Sequence, residues 1–163
     1  MPFHHEQVHV VYFFKNDDGC AVTVNGERYR DMLTEFLFPQ IDDIDGDDIM
    51  FQQDAATCHT ASATMDLLRQ QFGESLISQN GPYNWPPRSC DLTPLDYFLW
   101  GYVKSKVYAN KPKTLDELEA NIRATIAAIP PDMIHRVIEN WSDRMSQCKK
   151  SRGGHLNDIL FKS

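Results

Sequence analysis

Two aspartates stand where chemistry could use them. Asp54 closes the run "IMFQQ" at residues 49–53, and Asp96 follows the proline-rich stretch "NWPPRSCDLTP". In open α/β sheets, ligands gather at the carboxyl ends of strands, so an acid there is well placed for function. Carboxylates from separate chain segments can share Mg²⁺ ions. Two such ions activate a nucleophile and stabilise the leaving oxygen in phosphodiester chemistry. Each acid also has a plainer account. Aspartate after a strand commonly makes a turn, and aspartate in a first helical turn suits the helix dipole. On spacing alone the plain account weighs more, and Asp91 reads as a loop acid accepting backbone hydrogen bonds.

Other chemistries find less support. His59, five residues after Asp54, could orient or approach a metal-bound phosphate, but a lone histidine beside a cysteine is more often packed or solvated. Ser89 has no histidine close in sequence and no nucleophile-elbow glycines, and neither GxxxxGK[ST] nor GxGxxG occurs. In the acidic stretch "IDDIDGDD", Gly46 as a calcium-loop glycine would put Gln52 where the twelfth-position acid belongs, so it reads as a solvated loop.

The elements that must position these residues follow from periodicity. "VHVVYFF" at 8–14 predicts a buried strand, "KNDDG" a turn, and "CAVTV" at 20–24 a second short strand. Tyr29, Met32, Leu33 and Phe36 fall at helical spacing and predict a helix over about 27–40. Strands are expected at 49–53 and 75–78. Between them lies a helix carrying Met65, Leu68 and Phe72, with Thr57 or Thr60 as its cap. Thr93 and Pro94 open the next helix, putting Asp96 at its third position and Leu99, Trp100, Val103 and Val107 on its buried face. Thr114 and Glu117 form a capping box for a helix with Leu115, Leu118, Ile122 and Ile126 on one stripe. After Pro130-Pro131 a last helix bears Ile134, Val137, Ile138, Trp141 and Met145. The pattern is an α/β domain with a helical C-terminal third.

Composition sets the outer bounds. The 163 residues, 42% hydrophobic and 11% aromatic, fit a single globular domain. No apolar run reaches membrane-spanning length, and the expectation is a soluble intracellular protein. Cys20, Cys58, Cys90 and Cys148 form no CxxC pair and read as reduced thiols, mostly packed away. A net charge of −7 disfavours simple polyanion binding, although Lys104, Lys106, Lys111 and Lys113 gather in one region and basic residues recur across 144–152.

"FQQDAATCHTA" at 51–61, followed by "NWPPRSCDLTPLDYFLWGYVKSKVY" at 84–108, resembles the catalytic domain of mariner-type transposases, within the DDE/DDD transposase superfamily. "VTVNGERYRDML" and "KPKTLDELEANIRATIAAIP" are similar to its insect-type members, and the resemblance spans roughly residues 11 to 161. It implies a ribonuclease-H-like mixed sheet with flanking helices, incomplete at its N-terminus. The pattern "QQDxAxxH" maps the family's second catalytic acid to Asp54, and "SPDLxPxD" maps the third to Asp96. Cys90 stands where that pattern has proline, and Ala55 where glycine or asparagine is common. Mg²⁺ or Mn²⁺, held by Asp54 and Asp96, is the implied cofactor, and DNA the implied partner.

The family's first catalytic aspartate and its helix-turn-helix module have no counterpart in this sequence. Asp17 and Asp18 fall in a turn and match no motif. The expectation is therefore a partial catalytic domain over 1–163, inactive by itself. A homodimer and a nuclear location belong to the same set of implications. The alternative is a non-catalytic module, derived from a transposase, that binds nucleic acid or protein.

Overall fold

The computed structural model describes residues 11–42, 49–86 and 89–153. The chain divides into two compact units, Met1–Arg88 and Ser89–Ser163.

The first unit begins, among the described residues, with a turn dictated by its residue types. Asn16 Oδ1 accepts the Cys20 N–H at 2.8 Å, and Gly19 takes a φ of +77° that side chains resist. The flanking segments form less sheet than their β-branched and aromatic content predicts. Residues 8–10 of the expected first strand lie outside the described residues, and 11–14 carry no strand. One antiparallel bridge, Lys15 to Ala21, stands in place of both expected strands, with the Val22 N–H donating to Phe14 at 3.0 Å. The aromatics here serve packing instead: Tyr12 lies 4.9 Å from both the Phe14 and Phe36 rings, and Phe14 lies against the core.

Asn25 then caps α1 (Gly26–Asp31), its side chain accepting the Arg28 N–H at 2.9 Å. The helical run continues as a π-helical segment, Met32–Leu37, and returns to α-helix at α2 (Phe38–Ile41). It buries Tyr29, Leu33, Phe38 and Ile41 against Met65, Leu68 and Leu76. Leu33, Leu68 and Leu76 are fully enclosed, each worth about 2 kcal/mol of apolar burial.

The sheet has three strands in the order β1 (Phe51–Gln52), β2 (Leu76–Ser78), β3 (Tyr83–Asn84), all parallel. The described strands are thus uniformly parallel, where a mixed sheet was expected. β1 and β2 are joined by a helical crossover, α3 (Thr57–Thr60) and α4 (Ser62–Phe72). β2 and β3 are joined by a tight return in which Ser78 O accepts N–H groups from Gly81 and Trp85. A Cβ at Gly81 would come 3.2 Å from two backbone oxygens, a crowding that glycine avoids. The caps of α3 and α4 fall on Ala56 and Ala61 rather than on Thr57 or Thr60. The Thr60 hydroxyl donates backwards to Ala56 O at 3.3 Å.

The second unit is helical. Pro94 opens a run that is π-helical over Leu95–Leu99 and α-helical in α5 (Trp100–Val107). α6 (Leu115–Ala127) packs on α5, and α7 (Pro131–Lys150) packs on the turn at Cys90–Leu92. The capping box forms in part: Thr114 Oγ1 accepts the Glu117 N–H at 3.1 Å, while Glu117 Oε2 takes the Lys113 N–H at 2.6 Å. Val103, Val107, Ile126 and Ile129 are buried. Several expected core residues are not. Trp100, Leu115, Ile138 and Met145 are exposed, because each lies to one side of the narrow stripe that its helix buries. Among the described residues no helix is long and apolar enough to cross a membrane.

Candidate functional site

Asp54 leaves β1 one residue after the last sheet hydrogen bond, Gln53 N–H to Ile77 O at 3.0 Å. Alternation along a strand sends neighbouring side chains to opposite sides. Gln53 accordingly points into the core, 5% exposed, and Asp54 is exposed. The buried amide is fully used. Gln53 Oε1 accepts the Tyr29 hydroxyl at 3.0 Å, and Nε2 donates to His59 O at 3.0 Å and Ser78 Oγ at 2.9 Å. Three segments, α1, α3 and β2, are thereby tied to the residue that precedes Asp54.

The carboxylate itself is anchored through one oxygen. Asp54 Oδ1 accepts the Ala56 N–H at 3.0 Å and lies 2.6 Å from His59 Nδ1. An ionised carboxylate has no proton to give, so Nδ1 carries the hydrogen of this pair. In the neutral ring Nε2 is then the lone-pair nitrogen, available as an acceptor. The imidazole is held from its face as well, with its centroid 4.4 Å from the Tyr29 ring. Burial, and after it the proximity of Cys58 and Asp54, pushes the Tyr29 phenol far above its ordinary range, so it remains a hydrogen-bond donor. The site can therefore present one exposed carboxylate and one oriented imidazole side by side.

Asp96 belongs to the second unit. It is exposed on the π-helical segment, and its N–H donates to Thr93 O at 2.9 Å, with the Tyr97 N–H on the same oxygen at 3.1 Å. Thr93 thus opens the helix through its carbonyl, while its hydroxyl donates to Ser89 O at 3.3 Å. Tyr97 is fixed by its hydroxyl bond to Val137 O at 2.8 Å. Asp91 braces this turn, its carbonyl accepting Arg144 Nε at 2.6 Å. Arg144 is 1% exposed, with its guanidinium 4.4 Å from the Tyr97 ring centroid. The basic stretch 144–152 is therefore not one surface: Arg144 belongs to the interior.

Asp54 and Asp96 each have the chemistry of a Mg²⁺ ligand, and the Asp54 bonds to Ala56 N–H and His59 Nδ1 both fall on Oδ1. Among the described residues no group of three or more His, Cys, Asp or Glu is placed to hold a metal ion. Cys20 and Cys90 are exposed and Cys58 and Cys148 half-buried, all four as free thiols, so the expectation of packed-away thiols holds for none completely.

Sequence reasoning passed over Gln53, Tyr29 and Arg144. Gln53 could have been found by alternation, since an outward Asp54 requires its predecessor to face inward. Arg144 sits three residues past Trp141 on the stripe Ile134, Val137, Trp141, a position where α7 turns inward. Compared with known proteins, the chain matches no protein-family model and has no significant match among curated proteins.

Proposed function

We propose that this chain carries the part of a mariner-type transposase catalytic domain, of ribonuclease-H-like fold, that supplies the second and third acids, and that it binds DNA without cleaving it by itself. The observation that carries this reading is the placement of Asp54. It is an exposed carboxylate directly after a parallel strand of a strand-helix-strand unit, with its flanking residues locked by the buried Gln53 amide. The motif match at Asp96, in the first turn of a helix after the proline-rich loop, supports the same reading.

Asp54 and Asp96 would hold Mg²⁺ or Mn²⁺, which supplies charge neutralisation and water activation in phosphodiester chemistry. What the chain itself does is narrower. The Ala56 N–H anchors the Asp54 carboxylate, Gln53 ties down the strand end before it, Asp54 orients the His59 ring, and Arg144 holds the Asp91 turn that precedes Asp96. Phosphoryl transfer depends on placement and charge together, so two of the family's three acids leave the 163-residue chain without turnover.

A plasmid-nicking assay with Mg²⁺ or Mn²⁺, run beside a DNA-retention assay at low salt, tests both halves. Retention without nicking is expected. Metal-dependent nicking abolished by Asp54→Asn would overturn the claim of inactivity, and absence of retention at low salt would overturn DNA binding. A purely non-catalytic module is favoured by one observation, the exposed Lys149, Lys150 and Arg152 at the end of α7. Salt-sensitive retention undiminished in the Asp54→Asn/Asp96→Asn double variant would select it.

A further inference from the structure

Outside the carboxylates, α5 shows an arrangement that the fold does not explain. Trp100 is 48% exposed and Tyr108, at the helix end, 59% exposed. Lys104 lies midway between them, also exposed. Residues four apart share a helix face, so Trp100, Lys104 and Tyr108 form one outward ridge about 12 Å long. The stripe beside it is committed to the core through Val103 and Val107. A hydrophobic tryptophan left in water at mid-surface gains nothing for folding.

The ridge is also the basic part of an acidic protein. Residues 100–113 contain Lys104, Lys106, Lys111 and Lys113 and no acid, in a chain of net charge −7. All four lysines are exposed, and among the described residues none forms an ion pair. The segment after the helix is held rigidly. Asn121 Nδ2 donates to Val107 O at 3.1 Å and to Asn110 Oδ1 at 2.9 Å, and the Lys113 N–H is taken by Glu117. Lys111 is kept in the left-handed region, φ +51°, a conformation costly for any residue but glycine.

We propose that this ridge is a binding surface for single-stranded nucleic acid. Aromatics that stack on bases, interleaved with cations that meet phosphates, are what an unpaired strand requires. A duplex hides its base faces and offers these aromatics nothing to stack on. A membrane surface fits less well, because the apolar side of α5 is already buried and cannot insert. The proposal takes from the preceding section only the general class of partner. It uses neither Asp54 nor Asp96.

The test is fluorescence anisotropy of a labelled oligothymidylate of about twenty nucleotides, beside a duplex of equal length and anionic vesicles. The expected result is preference for the single strand, with log K falling against log salt at a slope of about −3 for four phosphate contacts. Trp100→Ala and Tyr108→Ala each weaken binding by roughly tenfold or more, and Trp100→Phe restores most of it. Lys104→Gln/Lys113→Gln flattens the salt slope. Circular dichroism of each variant confirms that these surface changes leave the fold intact. Equal single-strand and duplex affinity indifferent to both aromatics would overturn the ridge while leaving DNA binding in place. Binding to vesicles but to neither nucleic acid would overturn both.

Discussion

Replacing Gln53 by Leu should damage the first unit far more than its modest change in volume suggests. The side chain is 5% exposed, and its amide serves Tyr29 Oη, His59 O and Ser78 Oγ at 3.0, 3.0 and 2.9 Å. Leucine keeps the space but removes one acceptor and two donors at once. A buried polar group left without its partner costs about 1–3 kcal/mol. The three orphans are not equal. Ser78 Oγ retains Met65 Sδ and Gln79 O, both at 3.5 Å, and His59 O lies in a part-buried setting, so these two fall at the low end. Tyr29 is 7% exposed and loses its acceptor outright. The sum is about 3 kcal/mol, a large share of a typical domain's stability.

Urea unfolding of the wild type, Gln53→Leu, Tyr29→Phe and the double variant measures it. Because phenylalanine leaves no hydroxyl to orphan, the double variant should recover about 1–2 kcal/mol of the loss expected from adding the single changes. Additive single effects, or a Gln53→Leu cost below about 0.5 kcal/mol, would refute the claim that this amide organises the strand end.

Three further outcomes are expected. Thr114→Ala removes the Thr114 Oγ1 acceptor of the Glu117 N–H and should cost about 1 kcal/mol in chemical unfolding, with Thr114→Ser recovering it. Arg144→Lys keeps the charge but loses the Nε bond to Asp91 O and the flat contact with Tyr97, so it should cost roughly 2 kcal/mol by the same measurement. Burial raises the Tyr97 phenol to about 12, with Arg144 pulling it down, so the folded state keeps a proton that the unfolded chain releases near pH 10. Stability fully present below pH 10 is therefore lost as pH rises toward 12, and Tyr97→Phe should flatten that fall in unfolding midpoints.

The sequence spoke clearly where local chemistry decides the outcome. The Asn16–Gly19 turn, the strand before Asp54, the helix opened by Pro94 and the Thr114 cap each depend on a few neighbouring residues, and each appears at its place. It misled where tertiary context decides. "VYFF" reads as a strand, yet residues 11–14 carry none, and Tyr12 and Phe14 pack on Phe36 and the core. The pairing of Asp54 with His59 across five residues was open to either reading of the histidine, and a 2.6 Å contact gives it a partner within the chain. Arg144 was counted only among the basic residues of 144–152, and its burial depends on Asp91 and Tyr97, about fifty residues earlier.

The π-helical segments show how far a periodic reading can be taken. Tyr29, Leu33, Phe38 and Ile41 are the buried residues of their helical run, at successive spacings of four, five and three. A regular α-helix cannot keep that set on one side, because a five-residue step rotates the side chain by well over a quarter turn. The π turn absorbs the extra residue: the Phe38 N–H reaches back five residues to Leu33 O. Pro39 supplies the cause. It has no N–H to donate, and its ring would crowd the carbonyl four residues earlier, so widening the preceding turn relieves a clash that a regular helix would retain. The second such segment, Leu95–Leu99, closes with the Trp100 N–H on Leu95 O and carries Asp96. Widened turns recur at functional positions in helices, since they reorient a side chain without breaking the helix. Asp96 is therefore held by a device that regular helical spacing could not have revealed, at the residue proposed above as the third acid.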